Sequence, residues 1–274
     1  MSQKRHKHKS GTAASSADRH ALYEIAVQSV ETEIDFVDET FTNIRARQAG
    51  FLREDFCGTA NSSCEWTRRR PSNHALGLDL SQEVLDWGIA NNIKKLNKKQ
   101  QQRIQLLKQN VLHYQGKPAD IIIAMNFSYQ LLKTRDELRG YFSRAHDGLT
   151  EDGILFIDAY GGHDSWREIK EKTKHKGFTY YWDQKKFDPI TANMICHIHF
   201  KFKDGSKMKK AFTYDWRMWT LPELQEILDE AGFSKVTVYW EGTDEDSGEW
   251  DGIYSTAEHG EDEPAWIVYL TAEK

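Results

Sequence analysis

The 274-residue chain has 39% hydrophobic residues, 12% aromatic residues and a formal net charge of -5, a balance that suits a globular protein and gives no reason to expect a nucleic-acid partner. Its longest apolar runs, residues 121–125 and 154–157, have strand length and fall far short of the roughly 20 residues needed to cross a bilayer, so no membrane association is expected. Three cysteines, Cys57, Cys64 and Cys196, are odd in number and lack metal-type spacing, which predicts neither a disulfide framework nor a metal site and fits a reducing, cytoplasmic setting.

Residues 1–18 are basic and have no apolar segment, so they are expected to be a disordered tail and neither a secretory signal nor an anchor. One α/β domain is expected over 19–274. Leu22, Ile25, Ala26, Ile34, Phe36, Val37 and Phe41 recur at helical spacing and predict a helical cap over 19–48. A strand follows at 51–55, then a tight turn and a helix to Arg70 with Ser62 or Ser63 as its N-cap. A second strand spans 74–79, Ser81 caps a helix carrying Val84, Leu85, Ile89 and Ile93, and a third strand spans 103–107. The apolar run 120–125, a helix over 134–149 and a strand at 153–159 continue the alternation, which predicts a mostly parallel sheet with helices on both faces.

After Gly162 the pattern changes. Strands at 178–187, 194–202 and 207–216 are joined by short turns with no room for a crossover helix, so an antiparallel insertion is expected over 176–218. Pro222 opens a helix over 221–231 that Gly232 ends. A strand at 235–240, an acidic loop at 241–264 and a last strand at 265–271 complete the chain.

In an open parallel sheet the ligand sits beyond the carboxyl ends of the strands. The first such turn is Glu54-Asp55-Phe56-Cys57-Gly58-Thr59-Ala60, and Asp79-Leu80 ends the second strand about twenty residues on, a position from which a carboxylate accepts hydrogen bonds from two ribose hydroxyls. From about Leu52 to the C-terminus the sequence resembles the class I S-adenosylmethionine-dependent methyltransferases, whose first motif reads acidic-x-Gly-x-Gly-x-Gly. The resemblance puts Glu54 at the acidic position, Gly58 at the central glycine and Phe56 and Ala60 at the outer two. It implies a Rossmann-like fold with a seven-stranded, mostly parallel sheet whose last strand is antiparallel. It further implies S-adenosylmethionine as cofactor, held by Glu54, Asp55, Cys57, Gly58, Thr59, Ala60, Asp79, Leu80, Asn110, Val111, Asn126 and Phe127.

The implied reaction is in-line methyl transfer to a small-molecule acceptor, since the three-stranded insertion resembles the lid of the branch that includes glycine and amino-sugar N-methyltransferases. Tyr129, Tyr160 and His163 are the candidate catalytic residues, with His163 as a general base. Two readings stand beside this one: an RNA or protein methyltransferase that docks its substrate through the basic tail, and a non-catalytic protein of the same fold. A dehydrogenase fingerprint would need glycines this chain lacks. His197 and His199 share one strand face but are too few for a metal. Tyr180, Tyr181, Trp182, Tyr214, Trp216 and Trp219 either pack the insertion or line a pocket for a planar or cationic acceptor.

Overall fold

The computed structural model describes residues 11–243 and 250–274. In chain order, α1 (Ala13–Ser16), α2 (Arg19–Val27) and α3 (Val30–Arg45) precede β1 (Phe51–Asp55), α4 (Asn61–Arg69), β2 (His74–Asp79), α5 (Gln82–Asn91), α6 (Lys98–Gln101) and β3 (Ile104–Lys108). There follow β4 (Ala119–Ala124), α7 (Arg135–Asp147), β5 (Leu149–Gly161), β6 (Ile169–Lys174), β7 (Phe178–Phe187), β8 (Asn193–Phe202) and β9 (Lys207–Arg217). The chain closes with α8 (Leu221–Glu230), β10 (Lys235–Thr243), β11 (Trp250–Thr256) and β12 (Trp266–Glu273).

The apolar run of β4 is continuous because both of its faces are covered. Ile121 and Ile123 pack with Ile34, Val37 and Phe41 of α3, while Ile122 and Ala124 pack with Leu138 and Phe142 of α7 and Leu224 of α8, as the two-residue period of a strand requires. β4 lies inside a sheet of order β11-β10-β12-β5-β4-β1-β2-β3. The pairs from β3 to β5 are parallel, and β12 runs antiparallel to both β5 and β10. The chain leaves β1 toward β2 and later returns to its other side as β4, so the strand order reverses at β1 and β4, where such a sheet opens a crevice.

The main sheet has eight strands because part of the expected acidic loop forms β11, which pairs with β10 through Tyr239 opposite Thr256 and Glu241 opposite Tyr254. Likewise the insertion is a four-stranded sheet, β6-β7-β8-β9. Its extra strand, β6, is exposed at every position but Ile169, so the charged edge strand carries no apolar alternation to read. Of the expected disordered tail, residues 1–10 lie outside the described residues. Residues 11–18 are built into the fold: Ala13 N donates to Asp204 Oδ2 at 2.9 Å and Ala14 N to Ser206 Oγ at 3.0 Å. Asp18 caps α2 through His20 N and accepts from Trp87 Nε1.

The cap serves two surfaces. While α3 covers the main sheet, Leu22, Tyr23, Ala26 and Val27 of α2 pack on Phe178, Ile198 and Phe200 of the insertion, so α2 ties the insertion to the body. No helix among the described residues is long and apolar enough to cross a membrane.

Inside β1, Arg53 and Asp55 share a face at i, i+2 and form a two-point ion pair, both bonds 2.9 Å, with each side chain at most 1% exposed. Tyr141 of α7 donates to Asp55 Oδ2 at 3.0 Å. Breaking such a pair leaves a buried charge without a partner, at a cost of about 3–5 kcal/mol. Arg53→Leu is therefore expected to lower the free energy of urea unfolding by about that amount, and adding Asp55→Leu to return part of it. A loss below about 1 kcal/mol in the single variant would mean that water reaches Asp55 and the pair is not sealed.

Candidate active site

At the end of β1 the chain turns through three left-handed residues, Phe56 (φ 57°), Gly58 (φ 52°) and Ala60 (φ 57°). These are the three positions at which the methyltransferase motif carries glycine, so the turn keeps the glycine backbone although only one glycine remains. A Cβ built on Gly58 would meet nothing within 4 Å, which leaves an open place over the turn. Gly58 N donates to Asp79 Oδ2 at 2.9 Å, and Ser81 N donates to Asp79 Oδ1 at 2.8 Å. Each carboxylate oxygen thus keeps a lone pair for a further donor.

The helix after the turn is capped two or three residues before the predicted Ser62 or Ser63: Ala60 is the N-cap of α4 and offers no side-chain cap. Glu54 supplies it from the strand, its Oε2 accepting from Ser63 N at 2.8 Å and from Ser63 Oγ, in the place where a helix N-terminus favours an anion. Burial outweighs that help and pushes the Glu54 carboxyl up to about 7. Thr59 Oγ1 donates to Glu24 of α2 at 2.6 Å, and Asn92 Nδ2 donates to the same Glu24 oxygen, so the cap is bonded directly to the turn. Asn110 follows β3, its Oδ1 accepting from Leu112 N at 2.9 Å, and Val111 is buried beside it in the core.

Beyond β4 and β5 lies a cavity of about 630 Å³ between the main sheet, α2, α3 and the insertion. Asn126, Phe127 and Tyr160 line it, as do Tyr180, Trp182, Tyr214 and Trp216 from the insertion. Asn126 and Phe127 are both left-handed, φ 58° and 57°, and their amides donate to the two oxygens of Asp158 at 2.7 and 2.8 Å. Asp158 also lines the cavity, and burial pushes its carboxyl up to about 7. Its only sequence signal was a carboxylate set among the apolar residues of β5.

The fold that carries these features is found in solved structures. The S-adenosylmethionine-dependent methyltransferase from Clostridium acetobutylicum ATCC 824 superposes with a TM-score of 0.66 at 15% identity, over 93% of this chain and 96% of that one. The chain has the class I methyltransferase fold. CalS10, an amino pentose methyltransferase from Micromonospora echinaspora, gives 0.65 at 15% identity over 93% of this chain and 96% of its own. The sugar N-methyltransferase KedS8 from Streptoalloteichus sp ATCC 53650 gives 0.64 at 13% identity over 100% and 98%. No protein-family model and no curated protein matches the sequence.

Several expected site residues have other surroundings in this methyltransferase fold. Tyr129 is fully buried and spends its hydroxyl on the Asp158 carbonyl at 2.9 Å, so it does not face the cavity. His163 is 58% exposed beside Asp164 and Arg167 and is not among the cavity's lining residues, because a left-handed Gly162 carries the chain away from β5 into a short turn. Of the three catalytic candidates only Tyr160 lines the cavity, its hydroxyl against Met194 Sδ at 3.3 Å.

Asp55 points into the ion pair with Arg53, not toward the turn's open side. Leu80 is exposed, and Cys57 is buried against Gly77 with its thiol pushed well up by burial, which suits packing and not nucleophilic attack. His197 and His199 are bonded within the insertion, to Thr213 Oγ1 and Asp183 Oδ2, both at 3.0 Å. Among the described residues no group of three or more His, Cys, Asp or Glu is arranged to hold a metal.

Glu54 makes a pH prediction. Its folded value, about 7, lies above the ordinary 4.5, so between those pH values the folded chain binds the proton more tightly than the unfolded chain. The stability contributed by this group is full below about pH 4.5 and is lost as pH rises through 7. The Glu54→Gln variant of the ligand-free protein should therefore melt within about 2 °C of wild type at pH 5 and at least about 4 °C above it at pH 8.5. A constant difference across that range in thermal melts would show that Glu54 titrates normally.

Proposed function

We propose that the chain is an S-adenosylmethionine-dependent methyltransferase that acts on a small-molecule acceptor. The observation that carries this reading is the turn over 54–60: a glycine-type backbone kept by Phe56 and Ala60, with open space above Gly58 and Asp79 bonded to it. The open space at Gly58 and the spare lone pairs of Asp79 fit a nucleoside with two ribose hydroxyls. Gly58 and its neighbours would hold the methionine portion, Asp79 the ribose, and Asn110 with Val111 the adenine. Asn126, Phe127 and Tyr160 would face the methyl-transfer end. KedS8 and CalS10, named for sugar and amino pentose substrates, support a small acceptor by likeness of fold. A cavity of about 630 Å³ bounded by cap, sheet and insertion favours it over a polymer.

The bound cofactor supplies a methyl group already activated on a sulfonium, so no covalent enzyme intermediate is needed. What remains for the protein is to hold the acceptor in line and exclude water. Asp158 fixes the backbone of Asn126 and Phe127 at the mouth of β4, and Phe127 packs on Tyr160 with ring centroids 4.6 Å apart. Trp182 and Trp216 also line the cavity and pack with Phe127 and Tyr160 in one cluster, so the reacting atoms would meet beside a stiff aromatic surface.

Calorimetric titration with S-adenosylmethionine and S-adenosylhomocysteine tests the reading. Wild type is expected to bind both, and Asp79→Ala to bind at least about 30-fold more weakly, the loss of charge-assisted hydrogen bonds to the ribose. Gly58→Val, which fills the open place and strains a left-handed residue, should bind neither while still melting cooperatively. Wild-type protein that binds neither compound would sink the proposal.

A further inference from the structure

Among the described residues four carboxylates line the cavity, Glu33, Asp158, Glu171 and Glu241, and no Lys, Arg or His does. Glu171 is at the exposed rim and Glu241 accepts from Tyr254, but Glu33 is different. It is only 9% exposed; its Oε1 accepts from Ser29 N at 3.2 Å, and its Oε2 is buried with no partner among the described residues. Trp216, which lines the same cavity, has in Nε1 a second buried atom without a partner among the described residues, this one a donor. Buried polar groups are nearly always satisfied, and one left bare costs about 1–3 kcal/mol, more when charged. A bare carboxylate oxygen and a bare N–H in residues lining one cavity are together a template for what fills the space.

The charge around Glu33 has one sign. Glu54 and Asp158 both feel its negative charge, and Tyr23, Tyr254 and Tyr269, which face the same group, can only add to it. Aromatic faces of Tyr180, Trp182 and Tyr214 complete the wall, and such faces attract cations. An anionic acceptor, whether a carboxylate or a phosphate ester, would meet four carboxylates and no cationic side chain among the described lining residues.

We propose that the acceptor is a small amine that enters this cavity as an ammonium ion, with Glu33 Oε2 binding it and taking its proton, and Trp216 Nε1 donating to an uncharged oxygen on the same molecule. The inference rests on the methyl-transfer reading above. One N–H proton passes to Glu33, giving a neutral amine and a carboxylic acid. The nitrogen lone pair then forms the N–C bond as the C–S bond breaks, and that electron pair stays on sulfur as a thioether. The methylated product leaves as an ammonium ion and Glu33 returns its proton to water. Burial raises the affinity of Glu33 for a proton, which suits a group that must hold one through the transfer.

The test uses the full chain saturated with S-adenosylhomocysteine and a library of hydroxylated primary and secondary amines, each paired with its alcohol and carboxylic-acid isosteres. Binding is read by tryptophan fluorescence, since Trp182, Trp216 and Trp266 line the cavity. Amines are expected to bind and their isosteres not to. Glu33→Gln, which keeps the acceptor for Ser29 N, should weaken every amine at least about tenfold, the worth of one charged hydrogen bond, and leave S-adenosylhomocysteine binding unchanged. Alcohols or acids binding as well as amines, no amine binding to cofactor-loaded protein, or amine affinity within about twofold in Glu33→Gln would each overturn the proposal. If wild type fails to bind S-adenosylhomocysteine, the methyl-transfer reading falls, and amine binding by the unloaded protein judges the cation site alone.

Discussion

Two consecutive amide N–H groups beyond β4 end on the two oxygens of one carboxylate at the end of β5, and the cavity is built around that clamp. Phe127 has no conformational reason to be left-handed, and for an L-residue that region costs about 1–2 kcal/mol. Two charge-assisted bonds from Asp158 offset the cost, and Tyr129 locks the same stretch by donating to the Asp158 carbonyl. With the backbone fixed, Phe127 packs at a tilt against Tyr160 and lies edge-on to Trp216 at 6.5 Å, which joins the main sheet to the insertion. The acid that holds the wall in shape is therefore also part of the wall's charge.

The parallel half of the fold was legible because its signals are local: apolar strands covered on both faces, Ser81 as a helix cap, and Pro222 with Gly232 bracketing α8. What escaped reading was held by pairing alone. β6 has the composition of a solvated loop and becomes a strand only because β7 offers it an edge. β11 is likewise a product of the β10 hairpin. Residues 11–18 carry too little apolar surface to announce packing, and they are fastened by backbone amides and by Asp18.

At the site the same distinction holds. Glu54, Gly58 and Asp79 stood out because their spacing along the chain is their chemistry. Asp158 and Glu33 did not, since their meaning arises from what surrounds them in three dimensions: one lies in an apolar strand, the other on a helix rich in acids. The turn itself shows how far a motif can drift. Phe56 and Ala60 carry side chains in the left-handed region, so part of the free energy that glycine would lose as chain entropy is held here as native-state strain.

The three buried cysteines give the molecule an internal clock. Burial pushes the thiols of Cys64 and Cys196 up to about 12 and that of Cys57 well above its usual range, so oxidants and alkylating reagents find no thiolate to attack while the chain is closed. Modification can proceed only through opening events. Cys57 lies in the turn and Cys64 in α4, whereas Cys196 lies in the insertion, so the protein separates by sulfur the opening of its main sheet from the opening of its insertion.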